Sequence, residues 1–245
     1  MIDVEDCVKK QLAAFHACEL REKQMENQEQ RPGRGKEGDL SYGPYLLISR
    51  EKGAGGNAVG QLAGRQLGWQ VFDDKIVDEI AKKANVARQL IESLDERDRA
   101  AIRDIIGQLL NPQEIGTAGY LSYLKQIVLT LGHQGDVIIV GHAAQYILPS
   151  HFALSVRMVA PMEARIRRTA DKTRLSLEAA RVEVERTDRE RKGLTRRHFH
   201  HDVTDPLTYD LIINTASLSV EAAAEIVLTA LQRKLGVQRK ETDQC

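Results

Sequence analysis

The chain has 245 residues, with 35 Lys and Arg against 35 Asp and Glu, so its formal net charge is +0, and no overall field draws it to nucleic acid or a membrane surface. No apolar run approaches the ~18 residues a membrane helix needs, and the opening MIDVEDCVKK lacks the basic-then-apolar order of a secretion signal. Cys7, Cys18 and Cys245 are odd in number, far apart and without a CxxC, which argues against a disulfide framework or thiolate metal site and for a reducing compartment, the cytoplasm.

In chain order, residues 1–25 read as one helix, with Val4, Val8, Leu12 and Phe15 along one face. It is either a docking or dimerising element or a disordered extension. Residues 26–43 are polar and contain Gly and Pro, the composition of a linker, so the globular part begins near Pro44. Tyr45, Leu46, Leu47 and Ile48 suit one buried strand. A loop with Gly53, Gly55 and Gly56 follows, and then Val59, Leu62, Ala63 and Leu67 at the spacing of an amphipathic helix. Strand, glycine loop and helix together aim backbone N–H groups and a helix N-terminus at one spot, which suits a phosphate. A side chain at the glycines would block the anion or forbid the backbone angles. The usual phosphate loop ends in Gly-Lys-Ser/Thr, with the lysine on the phosphates and the hydroxyl on magnesium. Here Gly56 takes the lysine position and Asn57 the hydroxyl position, so a simple tight turn stands as the alternative.

Residues 69–73 form a second strand ending in Asp73-Asp74. A long helical region follows, striped by Val77, Ile80, Ala81 and Ala84, then by Ile102, Ile105, Ile106 and Leu109. After the break at Asn111-Pro112 come Leu121, Leu124, Val128 and Leu131. Strands at 137–141, 152–160 and 211–214 come next, the second of them stopping at Pro161. A closing helix from Ser219 carries Val220, Ala223, Ala224, Val227 and Leu231. Strands alternating with helices imply a mainly parallel sheet covered on both sides. Ligands of such sheets sit at the carboxyl ends of the strands, where the glycine loop, Asp73-Asp74 and Gly141-His142 fall.

The segment 162–205 is the most charged. Arg165, Arg167, Arg168, Lys172 and Arg174 precede a second helix from Ser176 with Arg181, Arg186, Arg189, Arg191 and Lys192. One reading is a solvated surface with intrahelical pairs such as Glu185–Arg189. The other is a lid, hinged near Leu175-Ser176, whose guanidinium groups close over phosphates. His198, His200, His201 and Asp202 lie in the exit loop without a second ligand cluster at helical spacing, so they read as a polar loop.

Six motifs, in this order and spacing, resemble the cytidylate kinase-like proteins among the P-loop nucleoside monophosphate kinases: ISREKGAGG, GWQVFDDKIVDEIA, VIIVGHAAQYIL, VRMVAPMEARIRR, ERTDRER and YDLIINTASLSVEAA. The resemblance spans about 45–231. It implies a five-stranded parallel sheet with helices on both faces in a kinase-like domain at 44–235, an acceptor-nucleotide region at about 75–132, an arginine lid at about 162–205 and a tail at 236–245. It implies that Gly53, Ala54, Gly55, Gly56 and Asn57 hold the donor phosphates of ATP with Mg2+. Arg50, matching the family's Ser-Arg, replaces the missing lysine's charge. Asp73 and Asp74 face the acceptor nucleotide, and Arg168, Arg186, Asp188 and Arg191 match arginine and acidic positions of the lid. His142 stands where the family has arginine, a departure that weakens cytosine recognition.

The implied chemistry is transfer of the γ-phosphate of ATP to a nucleoside monophosphate, CMP or dCMP by resemblance. That reaction asks a protein mainly for positioning and charge neutralisation and needs no covalent nucleophile. A nucleotide-binding regulator that has lost turnover is the alternative, supported by Gly56 and His142. A nucleic-acid binder is disfavoured by zero net charge, 4% aromatic residues and the acidic residues interleaved in the basic helices.

Overall fold

The apolar run at 45–48 becomes the central strand of a five-stranded parallel sheet in the computed structural model, which describes residues 35–37, 40–74, 96–109 and 118–239. Those residues include seven strands: β1 (Gly35–Glu37), β2 (Leu40–Tyr42), β3 (Tyr45–Arg50), β4 (Gln70–Phe72), β5 (Val137–Val140), β6 (Ala153–Val159) and β7 (Leu211–Asn214). The large sheet has the order β4-β5-β3-β6-β7, and every neighbouring pair is parallel. Among the described residues six α-helices accompany it: α1 (Gly56–Leu67), α2 (Glu96–Leu109), α3 (Ala118–Gln134), α4 (Met162–Thr173), α5 (Leu177–Phe199) and α6 (Val220–Leu235).

Successive side chains of a strand point to opposite faces, and β3 divides its residues accordingly. Leu46 and Ile48 pack with Val59, Ala63 and Leu67 of α1 and Ala223, Val227 and Leu231 of α6. Tyr45 and Leu47 pack on the other face with Leu124, Val128 and Leu131 of α3 and with Ile102 of α2. Both faces are covered, which is why β3 and β5 read as continuous apolar runs rather than alternating ones. Helices α5 and α6 begin where the sequence offers serine caps. Ser176 accepts from the Ala179 N–H and Ser219 from the Ala222 N–H.

The polar segment read as a linker to Gly43 is structured at its end. β1 and β2 pair antiparallel, Gly35 opposite Tyr42, and Leu40 and Tyr42 are buried in the core. Tyr42 stacks on Phe152 with ring centroids 5.6 Å apart. Linker composition hid a two-residue alternation, Leu40-x-Tyr42, too short to register as a strand. At the other end, Val237 is buried and Arg239 pairs with Glu225 at 2.6 Å, so the chain stays packed past the expected start of its tail.

β3 runs on to Arg50 because its register with β6 continues to Met158. The second strand is shorter than 69–73 and leaves Asp73 and Asp74 beyond its end. The N-terminal helix at 1–25, the stripe at 77–84 and the Asn111-Pro112 break lie outside the described residues. Among those described, no helix is long and apolar enough to cross a membrane.

Candidate active site at the carboxyl edge of the sheet

Between β3 and α1 the backbone turns through two left-handed glycines, Gly53 (φ 82°) and Gly55 (φ 84°). The two are glycine for different reasons. A Cβ on Gly53 would meet the Arg165 carbonyl at 2.5 Å, whereas a Cβ on Gly55 would enter open space. Gly55 is therefore demanded by backbone conformation and by what approaches the loop, not by packing. The Ala54 N–H donates to the Glu51 carbonyl, and the Ala58 and Val59 N–H groups donate to that of Gly55. Among the described residues, the N–H groups of Gly55, Gly56 and Asn57 make no backbone hydrogen bond. They remain at the N-terminus of a 12-residue helix, where the helix dipole favours an anion.

Arg50 occupies the space beside these groups. Although charged, it is only 7% exposed, and it is threaded between two glycines. A Cβ on Gly56 would lie 2.8 Å from Arg50 Cβ and 3.1 Å from its Cγ. A Cβ on Gly141 would lie 2.1 Å from Arg50 Nη1. The absent lysine at position 56 and the presence of Arg50 are thus one structural feature, because the arginine stem fills the space a side chain there would need. Burial, and then the neighbouring Arg191 charge, pulls the Arg50 guanidinium down from its ordinary value to about 10, which leaves it cationic at neutral pH. Its Nε donates to Asn57 Oδ1 at 3.3 Å, and Asn57 Nδ2 donates in turn to Asp73 Oδ2 at 3.3 Å. Arg50 Nη2 forms an ion pair with Asp74 Oδ2 at 2.6 Å. Burial alone would raise the Asp74 carboxyl; Arg50, Arg191 and His142 more than offset it and hold the group below its ordinary value.

The basic helices fold over this loop. Arg191 of α5 donates from Nη1 to the Arg50 carbonyl at 3.3 Å and from Nη2 to Asp74 Oδ2 at 3.1 Å. Asp188, matched to an acidic position of the lid, lines the cavity at this edge and accepts from the Lys52 N–H at 2.8 Å and from Arg165 Nη1 at 2.5 Å. Arg165 also reaches the Lys52 and Ala160 carbonyls. It fastens the loop to α4. Arg168 turns to the other side of the loop, where it bonds Thr215 Oγ1 at 2.9 Å and the Thr215 carbonyl. There it borders a cleft of about 200 Å3 lined by Gly55, Val59, Leu218 and Ser219. Arg186 is not brought in; it is exposed and pairs with Glu183 and Glu190 of its own helix, both at 2.7 Å. The expected hinge at Leu175-Ser176 is bridged by packing of Ile166 and Ala170 against Ala180 and Val184, so α4 and α5 form one unit.

A cavity of about 290 Å3 opens at this edge, walled by Arg50, Asp74, His142, Arg157, Arg191 and Lys192 among others. His142 lies in a run of left-handed residues, Gly141 (φ 99°), His142 (φ 58°) and Ala143 (φ 55°), an unfavourable conformation for non-glycine residues that tends to mark functional turns. Sequence reasoning missed Arg157, Glu51 and Thr215, and placed Arg165 only among the basic residues of the lid. The one available signal was Arg157 itself, a lone arginine inside an apolar strand. In the exit loop His201 stacks on Tyr146, with ring centroids 4.5 Å apart. Among the described residues no group of three His, Cys, Asp or Glu is arranged to hold a metal ion.

A parallel sheet with a glycine loop at its carboxyl edge and an arginine-bearing helix pair over that loop defines a phosphate-loop α/β protein. The sequence profile of the cytidylate kinase-like family matches residues 46–217, and the chain belongs to that family. Among curated relatives, a cytidylate kinase of Sulfolobus acidocaldarius is 26% identical over 190 residues, 77% of this chain and 94% of that protein. One from Staphylothermus marinus is 28% identical over 102 residues, 42% of this chain and 58% of that protein. Among solved structures, an uncharacterized protein from Eubacterium ventriosum shares the fold with a TM-score of 0.60, at 17% identity over 78% of this chain and 98% of that one.

Proposed function

We propose that this protein is a nucleotide kinase that moves the γ-phosphate of ATP to a nucleoside monophosphate, with CMP or dCMP the acceptor suggested by its relatives. The observation that carries the reading is Arg50, a buried cation held between Gly56 and Gly141 at the mouth of a loop with unused N–H groups. The loop receives the donor phosphates on the N–H groups of Gly55, Gly56 and Asn57. Arg50 supplies the charge that a loop lysine supplies elsewhere, and Arg191 adds a second guanidinium from α5. Asp74 orients both. The acceptor's phosphate oxygen attacks the γ-phosphorus in line and ADP leaves, so the protein contributes position, charge and exclusion of water rather than a nucleophile. The Asp73 carboxylate and the Asn57 side-chain oxygen are hard donors beside the loop and fit magnesium, which binds through one or two such groups while keeping its waters. Magnesium held there with ATP would supply neutralisation of the phosphate charge.

The test is ADP formation from magnesium-ATP with a panel of CMP, dCMP, UMP and AMP. Turnover with at least one monophosphate supports the reading, and tight ATP binding without turnover replaces it with the regulatory one. The latter draws on Gly56 at the usual lysine position and on His142, two residues past the end of β5, where the family has arginine.

A further inference from the structure

Away from the carboxyl edge, strand β7 and helix α6 enclose a groove of about 330 Å3. Leu211 of β7 forms one side, and Ile226, Thr229 and Ala230 of α6 form the floor, with Glu225 and Arg233 beside them. Ile226 is 41% exposed, although Val227, Leu228 and Leu231 of the same helix are buried. The far side is closed by the chain beyond α6, which turns back so that Gln238 meets Gln232 and Arg239 meets Glu225 and Thr229. β7 is also an outer strand of the sheet, and its sequence, LIIN, carries no charge to guard the open edge. Folded proteins commonly cover such an edge with a helix or loop.

Place, length and charge together select residues 1–25 of the same chain, which lie outside the described residues. Gly35 sits against Phe152, where an added Cβ would stand 2.8 Å from the ring. Phe152 ends the turn that begins at Ser150. The Ser150 carbonyl accepts from Lys234 Nζ at 3.4 Å, and Lys234 pairs with Asp210 at 2.7 Å. Arg233 and Leu211 of the groove are the immediate neighbours of those two residues, so the chain enters at the Arg233 end. Residues 26–34 can span roughly 30 Å when extended. The stripe Val4, Val8, Leu12 and Phe15 is about 17 Å long as a helix, and the floor of the groove from Glu225 to Arg233 about 12 Å.

Glu19 and Glu22 continue that stripe at the end nearer residues 26–34, which brings them to Arg233. A cation beside a helix C-terminus is favourable in any case. The segment 240–244, KETDQ, has no apolar residue to offer, and 75–95 follows β4 at the opposite edge of the sheet. A tether of this length holds its helix at an effective concentration on the order of millimolar. A second copy in dilute solution competes poorly with that.

We propose that residues 1–25 form a helix that docks in the β7–α6 groove of their own chain. Val8, Leu12 and Phe15 cover Leu211, Ile226 and Ala230, and Glu19 and Glu22 meet Arg233. The docked helix closes the edge of β7 to pairing with another chain. This surface is independent of the kinase reading.

The test is hydrogen exchange on the full chain, with light scattering to give its mass. In a monomeric wild type the amides of 4–15 should exchange at least about 10-fold more slowly than in Leu12→Glu or Ile226→Glu. Leu12→Glu should also speed exchange in 225–233, which carries the test if Ile226→Glu does not fold. Arg233→Glu should lower the protection of 4–15, and adding Glu19→Arg and Glu22→Arg should restore it. Equal exchange of 4–15 in wild type and a folded Ile226→Glu overturns the proposal, as does exchange in 225–233 that ignores Leu12→Glu. A dimeric wild type whose protection of 4–15 falls on dilution gives the groove to a second copy and overturns it too. Protection indifferent to Arg233→Glu overturns the assigned direction of the helix.

Discussion

Arg50, the last residue of β3, and Gly141, just past the end of β5, exclude one another's side chains: a Cβ on Gly141 would stand 2.1 Å from Arg50 Nη1. The coupling is measurable. Gly141→Ala should destabilise the protein by about 1–3 kcal/mol through overpacking and a strained left-handed backbone and should weaken magnesium-ATP binding. Arg50→Ala added to it should recover part of the stability but none of the binding, a non-additive cycle. Additive stability changes in the double variant would mean that the two positions do not compete for space.

Arg50 itself should matter more to catalysis than to folding. Charge-assisted hydrogen bonds are worth about 1.5–3 kcal/mol, so Arg50→Ala should lower kcat/KM for ATP by about 10-fold or more. Gly56→Lys alone should not improve the enzyme, because its Cβ would meet Arg50 Cβ at 2.8 Å. Combined with Arg50→Gly, which removes that atom, Gly56→Lys should regain part of the lost activity. Steady-state kinetics on the three variants checks the exchange, and a gain from Gly56→Lys alone would contradict it.

The Gly55 position separates binding from packing. Its added Cβ meets nothing within 4 Å, yet its φ is 84°. Gly55→Val should cost about 1–2 kcal/mol of stability from the backbone alone and abolish magnesium-ATP binding by projecting into the anion's place. Unchanged affinity for ATP, read by calorimetry, would remove the loop assignment.

Among the lid arginines the structure ranks the effects. Arg191→Ala should lower turnover by orders of magnitude, since Arg191 is aimed at the Arg50 carbonyl and Asp74. Arg168→Ala should act mainly on KM for ATP, from its place beside the Thr215 cleft. Arg186→Ala should leave both kcat and KM unchanged, because that side chain pairs only with its own exposed helix. Hydrogen exchange across 162–205 should slow as a unit when a bisubstrate analogue is added, given the packing of α4 on α5. Independent behaviour of the two helices would favour the hinge at Leu175-Ser176 instead.

The Asp74 contacts have a pH signature. Its carboxyl is held below the ordinary value in the folded state, so its stabilising contribution is fully present above the unfolded value of about 3.9. That contribution is lost as pH falls through the lower folded value. The stability difference between wild type and Asp74→Asn should therefore be flat from about pH 5 to 8 and shrink below about pH 4. A difference already shrinking at pH 6 would assign the effect to another group.

Elements whose information is local were legible without coordinates. β5 and β7 follow from short apolar runs, α1 from a 3.6-residue stripe, α5 and α6 from Ser176 and Ser219 one residue before their first turns. The glycine loop was visible as a loop suited to an anion, with a tight turn as the alternative, because glycine's backbone freedom acts locally. The β1–β2 hairpin went unread, since Leu40 and Tyr42 acquire their meaning only from the core they meet.

The sequence by itself determined the layered α/β fold and the location of a phosphate-type loop, because periodicity and glycine placement act over a few residues. Tertiary structure alone decided what each charge does. It turned Asp188 to the loop backbone, Arg168 to Thr215 and Arg186 to solvent, and it set Arg157 in the cavity. It also showed why Gly56 is not lysine. A side chain's role in a buried electrostatic network depends on which distant charges share its space, and spacing along the chain does not encode that.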